Sequence, residues 1–272
     1  MRIGICEFTT LPASFEEDLA AYRAAGVEGI GVCELKLGEG SAEALRASGL
    51  RATACVPAVP SILPLPLIEG PASPDDRVEA LCAGVRRLAE LDPVCVLFLT
   101  GPAGEREDSR EVVREGIREV AAAGAAAGVR VALEPVHPSQ NEVFSFVHTI
   151  PDALELIGDE DVGILLDTYH VADPVAIAPF VGRIAAVHVA DWREPTRSAF
   201  DRVLPGDGVL DLRPVFETLE AGGYDGWVDV EIFSDNGVFG DAFPDSLWDV
   251  EPTELARRAR ESVERAWTRR GR

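Results

Sequence analysis

Short apolar runs alternate with longer amphipathic stretches along the whole chain, and the alternation repeats eight times. The runs are RIGICEF (2–8), GIGVCELKL (29–37), RATACVPAV (51–59), VCVLFLT (94–100), VRVALEPV (129–136), VGILLDTY (162–169), IAAVHVAD (184–191) and GWVDVEIF (226–233). Each is rich in Val, Ile, Leu or Ala, the composition of parallel strands covered on both faces. The stretches between them carry helix signals. SFEEDLAAYRAAG (14–26) opens on Ser14 with Glu17 three residues on and stops at Gly26, a capping box and a glycine stop. SPDDRVEALCAGVRRLAELD (73–92) has Pro74 in its first turn, and SREVVREGIREVAAAGAAAG (109–128) ends on Gly128. GSAEALRASG, TIPDALELIG, DPVAIAPFVGR, DLRPVFETLEAGG and EPTELARRARESVERAWTRR follow the other strands.

Eight such units in 272 residues match a closed barrel, which needs ~250 residues. The expected fold class is α/β, a single (β/α)8 TIM barrel, with residues 1–272 as one domain because no low-complexity linker divides them. An open doubly wound sheet would want a glycine-rich phosphate loop after the first strand, and CEFTTLPAS is not one.

A net charge of −22 excludes a general nucleic-acid surface, because phosphate binding rests on Lys and Arg. No apolar run approaches the ~18 residues of a membrane span. The N-terminus starts as a strand at once, so no signal peptide and no membrane partner are expected. The five cysteines, Cys6, Cys33, Cys55, Cys82 and Cys95, include no CxxC pair and read as reduced core residues of a cytoplasmic protein.

In such a barrel the chemistry sits where the strands finish. The strand ends carry Glu7, Glu34 with Lys36, Glu134, Asp167 with His170, His188 with Asp191, and Glu231. In WVDVEIF, Val228, Val230 and Ile232 share one face and Asp229 and Glu231 the other. His188 alternates likewise with Val187 and Val189. Glu134, Asp167, His188 and Glu231 would then converge, and three carboxylates with one imidazole need a cation to offset their repulsion. Taken singly, each residue reads as a helix cap or a core histidine; the joint pattern over four consecutive strands decides for a metal site. Oxygen-rich ligation with one histidine suits Mn²⁺ best, or Mg²⁺ or Co²⁺. Lys36, the only lysine among 25 basic residues, shares parity with Val32 and Glu34 if strand two runs to residue 37, and is expected to donate to a substrate hydroxyl or pair with Glu34. Trp192 and Trp248 follow the last two strands and are candidate stacking platforms for a substrate ring.

The pieces ALEPV, LLDTYHV, AAVHVADW, RVLPGDGVLD and GYDGWVDVEIFS, spanning 131–234, resemble the xylose isomerase-like superfamily of sugar phosphate isomerases and epimerases. The resemblance to its ketose 3-epimerases implies that Glu134, Asp167, His188 and Glu231 bind a divalent metal and that the two glutamates exchange a proton on opposite faces of the substrate. It implies that His170 in DTYH and Arg202 in RVLPGDG hold substrate oxygens. The chain departs from that pattern in carrying Gln140 where the epimerases often have Glu, in its longer stretch between His188 and Arg202, and in His137 three residues after Glu134. Related barrels include inosose dehydratases and enzymes that cleave 3-keto C-glycosides.

The expected activity is a divalent-metal-dependent sugar isomerase or epimerase, abstracting a proton next to a carbonyl through a metal-stabilised enediolate. A lyase on a keto-sugar or inosose, with His137 or His170 as base, is the alternative, and a non-catalytic sugar-binding barrel is the alternative of another class. The expected partners are a small sugar or keto-sugar and, at the surface, a second copy of the chain or an accessory subunit.

Overall fold

The computed structural model describes residues 1–268. Parallel strands form the barrel wall: β1 (Arg2–Cys6), β2 (Gly29–Gly31), β3 (Arg51–Ala52), β4 (Ala54–Cys55), β5 (Cys95–Phe98), β6 (Val131–Leu133), β7 (Val162–Asp167), β8 (Ile184–Val189) and β11 (Trp227–Val230). Their order is β3-β2-β1-β11-β8-β7-β6-β5-β4. The two ends of that order, β3 and β4, flank Thr53 and are halves of one strand, so the sheet returns on itself with eight strand positions. The expected (β/α)8 barrel is the fold. A two-stranded antiparallel ribbon, β9 (Asp191–Trp192) with β10 (Arg202–Val203), sits above β8 and pairs Arg202 with Trp192.

The helices are α1 (Phe15–Ala24), α2 (Ser41–Ser48), α3 (Pro74–Leu88), α4 (Ser109–Ala127), α5 (Ile150–Ile157), α6 (Pro174–Ile177), α7 (Arg213–Ala221) and α8 (Pro252–Thr268). The Ser14–Glu17 capping box forms. The sixth helical stretch keeps only one α turn before a 3-10 segment, Ala178–Arg183, since APFVGR places Pro179 and Gly182 inside it. Among the described residues no helix is long and apolar enough to cross a membrane.

Two apolar layers result. Val228, Val230 and Ile232 join the large layer between strands and helices. Ala54, Cys95, Leu97, Ala132, Leu165 and Ala186 fill the barrel itself. Below them, a Cβ on Gly4 would lie 2.0 Å from Asp229 Oδ1 and one on Gly29 2.5 Å from the Trp227 ring. Glycine therefore makes room for the inward side chains of β11.

One strand is shorter than its sequence indicates. The GIGVCELKL run leaves the sheet after Gly31, and Glu34–Lys36 form a 3-10 turn. The Val32, Glu34 and Lys36 parity is therefore not that of a strand, and the orientation inferred for Lys36 does not hold.

Candidate active site and metal centre

The C-terminal ends of the strands open into a cavity of about 550 Å³ with Glu134, His170, Arg202 and Glu231 among its lining residues. Asp167 and His188 are fully buried and adjoin these groups. Asp167 ends β7 and is the register partner of His188 in β8, which is in turn paired with Asp229 in β11. Glu134 and Glu231 each follow the last residue of their strand. Parallel order thus brings the four residues expected at a metal to neighbouring strand ends.

Two groups of mutually close ligand atoms form there. In each of them, Glu134 with Asp167 and His170, and Cys6 with His188 and Glu231, the atoms lie within 4.8 Å of one another. Arg202 joins the two. Its Nη1 donates to Asp167 Oδ2 at 2.9 Å and to Glu231 Oε2 at 3.0 Å. Its guanidinium lies 4.1 Å over the Tyr169 ring and 4.8 Å over Phe233, a sandwich that supports a buried cation. The β9–β10 ribbon and the bond from Arg202 N–H to Phe233 O at 2.9 Å place this arginine. The long stretch before it is folded by Asp201, which accepts from the Arg197 side chain and backbone. Asp191 accepts from the amides of Gly206, Gly208 and Leu210, and so shapes the PGDG turn.

Burial and mutual charge set the electrostatics. Burial, then Glu231 and Asp167, push Glu134 well above the ordinary carboxylate range. Burial lifts Asp167 to about 6 against the pull of Arg202. Burial also opposes charge on Glu231, but His188 and Arg202 outweigh it and hold Glu231 at about 2. The same carboxylate raises His188 to about 9 despite its burial. Burial and Arg202 keep His170 well below its usual value, hence neutral.

These residues fit a divalent cation. His188 Nδ1 lies 3.1 Å from Glu231 Oε1 but off the hydrogen-bonding direction, and neither buried ring nitrogen of His188 has a hydrogen-bond partner among the described residues. Buried imidazole nitrogens are normally partnered, and several carboxylate oxygens beside unpartnered imidazole nitrogens make a donor set for Mn²⁺, Mg²⁺, Co²⁺ or Zn²⁺. His170 Nε2 stands 3.7 Å from Asp167 Oδ2 and 4.0 Å from Glu134 Oε1, close enough to share a ligand with them.

The other residues singled out from the sequence are placed elsewhere. Lys36 lines the cavity with part of its side chain, but its ammonium turns to Asp18 Oδ2 at 2.7 Å, Thr10 O at 3.0 Å and Glu7 O at 3.3 Å. Three acceptors take all three of its donors, so none is left for a substrate hydroxyl. Glu34 pairs with Arg87 and accepts from Ala58 N–H rather than meeting Lys36. His137 is exposed and caps a 3-10 turn through Nδ1. Gln140 is buried in that turn, and Trp192 packs edge-on against Tyr169; neither lines the cavity. Trp248 is buried, donates its indole N–H to Phe8 O at 2.9 Å and backs Phe239 and Phe233, with no face on the cavity. Sequence reasoning missed Cys6, Tyr169 and the phenylalanines of the wall. Phe233 had a signal, since it shares the parity of Glu231.

The profile of the xylose isomerase-like TIM barrel family matches residues 19–269. A curated inosose dehydratase of Geobacillus thermodenitrificans is 31% identical over 129 residues, 40% of this chain and 40% of that protein. The chain thus spans well under half the length of that relative. A solved protein of Sinorhizobium meliloti 1021 is 28% identical with a TM-score of 0.84, covering 97% of this chain and 98% of that one. The structure of an L-ribulose 3-epimerase superposes with a TM-score of 0.75 at 24% identity, over 97% of this chain and 94% of that one, a likeness of fold. With the barrel closed and its profile matched over nearly the whole length, the chain belongs to the xylose isomerase-like TIM barrel family.

Proposed function

We propose that this chain is a divalent-metal-dependent sugar isomerase or epimerase that removes a proton from the carbon next to a carbonyl. The observation that supports it is the placement of Glu134 and Asp167 in one group of close ligand atoms and of His188 and Glu231 in another, with Arg202 bonded to Asp167 and Glu231 between them. Those four residues would hold the cation, Mn²⁺ by the oxygen-rich donor set. When bound, the cation supplies Lewis-acid polarisation of the substrate's oxygens. Glu134 and Glu231 belong to different strands and both face the cavity, so one takes the proton and the other returns it. His170 is neutral and can accept from a substrate hydroxyl through one ring nitrogen. Arg202 can donate an in-plane N–H to a substrate oxygen while the Tyr169 and Phe233 rings hold its faces. Five buried free thiols support a reducing, cytoplasmic setting, and residues 1–272 are proposed to act as one catalytic domain.

A second reading, loss of a β-hydroxyl rather than return of the proton, is favoured by the inosose dehydratase relatives. In it His170 serves as base. One experiment addresses both. Protein loaded with Mn²⁺ is incubated in D₂O with a panel of ketoses and inososes, and product is read by NMR. Deuterium at an inverted or adjacent carbon supports isomerisation, and an unsaturated keto product supports dehydration. Full turnover after verified metal removal would remove the proposal, and so would an isomerised or epimerised product without solvent label.

A further inference from the structure

Resting on that reading, we infer that the substrate is not a bare sugar but carries an aryl group, which lodges against a wall of phenylalanines between the carboxylate site and the cavity mouth. Phe8 and Phe233 stack at 4.9 Å where strands β1 and β11 end, and Phe200 and Phe239 stack at 4.7 Å further out. Phe233 joins the two pairs, 5.9 Å from Phe200 and 6.5 Å from Phe239. The rings come from three separate loops, with Phe233 and Phe239 on the one that follows β11, and adjoin Arg202 at their inner end.

The cavity is sorted by polarity. Its inner end carries two carboxylates, an imidazole and a guanidinium. Beyond them the charged lining residues are Lys36, whose donors are taken by the protein, and Glu69, exposed at the mouth. A polyhydroxylated substrate filling this outer part would set hydroxyls against Phe and Leu with nothing to bond. The volume of about 550 Å³ lies within the ~300–1,000 Å³ of pockets for drug-sized ligands. Four of the six large apolar side chains exposed among the described residues, Leu35, Leu67, Val238 and Phe239, border this cavity. Such concentration marks a binding surface, whereas scattered apolar residues need no explanation.

The wall is built rather than collapsed. The buried Asp235 accepts from the amides of Gly237 and Phe239 at 3.0 Å and of Asp241 at 2.6 Å, which holds the loop carrying Val238 and Phe239. Trp248, anchored to Phe8 O, braces Phe239 at 5.8 Å and Phe233 at 6.4 Å from behind. A flat aromatic group meets offset or edge-on partners there.

The test compares a methyl and a phenyl keto-glucoside, identical in the sugar, by calorimetry on the Mn²⁺-loaded protein. The phenyl probe is expected to bind at least ~10-fold more tightly, as burial of a ring predicts. In the Phe239→Ala/Leu67→Ala double variant, whose changes lie at the exposed mouth, the phenyl-to-methyl ratio should fall below ~3-fold. Equal affinities, or no binding of either probe, overturn the inference. So does a dimer, seen by sedimentation, that the same double variant abolishes in the absence of any phenyl preference. Deuterium exchange into the two probes reads the chemistry separately. Exchange without phenyl preference removes this inference and leaves the proposed function; phenyl preference without exchange supports this inference and removes the proposed function.

Discussion

Arg202 Nη1 stands 2.9 Å from Asp167 Oδ2, a buried guanidinium bonded to a buried carboxylate. The same nitrogen reaches Glu231, so one cation offsets two of the three clustered carboxylates. Removing it leaves buried negative charge uncompensated, at a cost of ~3–5 kcal/mol. In EDTA, Arg202→Ala should therefore unfold well below the parent. Because a divalent ion would offset the same carboxylates, added Mn²⁺ should raise the melting temperature of Arg202→Ala more than that of the parent. Equal Mn²⁺ shifts in the two proteins would argue that cation and guanidinium do not share these groups.

Loss of the candidate ligands should separate metal from fold. Asp167→Asn keeps the shape and the acceptor for Tyr169 N–H, a 2.9 Å bond, but removes one of the three carboxylate charges of the donor set. We expect metal affinity to fall by more than ~100-fold, beyond the 10–100-fold of outer-shell changes, with the far-ultraviolet dichroism unchanged. His188→Ala should do the same. Metal titration with plasma emission analysis checks both.

Lys36 belongs to stability rather than to the substrate. Its half-buried ammonium faces the fully buried side chains of Asp18, at 2.7 Å, and Glu7, with Oε1 at 3.9 Å. Burial raises both carboxyls, and Lys36 opposes that rise. Lys36→Met should cost ~3–5 kcal/mol at neutral pH by urea denaturation. The sign of the pH dependence follows. A carboxyl raised in the folded state is stable while protonated and loses that stability as pH rises through its folded pKa. Without the ammonium both groups are raised further, so the deficit of Lys36→Met against the parent should be smaller near pH 4 than near pH 8. A deficit independent of pH would show that the side chain's packing, not its charge, matters.

All five thiols are free and buried. Cys33 alone among them lines the cavity, and burial lifts it to about 11. At pH 7.5 its alkylation should be on the order of 100-fold slower than that of an exposed cysteine. It should still react before the fully buried Cys55 and Cys95, and a ligand in the cavity should slow it further. Peptide mapping after timed iodoacetamide treatment would show the order; modification of Cys55 or Cys95 before Cys33 would contradict it.

Local pattern carried much of this protein. The alternation of Val- and Leu-rich runs with capped amphipathic stretches is a property of neighbouring residues, and it was enough for the barrel and the strand ends. Glu134, Asp167, His188 and Glu231 were legible for the same reason: strand parity fixes which face a side chain takes, and parallel register aligns adjacent strand ends. The early exit of strand two was not legible, because VCELKL suits a strand until Cys33 N–H bonds, at 2.7 Å, the Oε2 of Glu7, which follows the first strand. That turn sends the Lys36 ammonium to Asp18 instead of into the cavity. Arg202 between two carboxylates, and the wall of Phe8, Phe200, Phe233 and Phe239, join residues up to 231 positions apart. No local periodicity encodes such meetings; they exist only once the barrel closes and its loops pack above it.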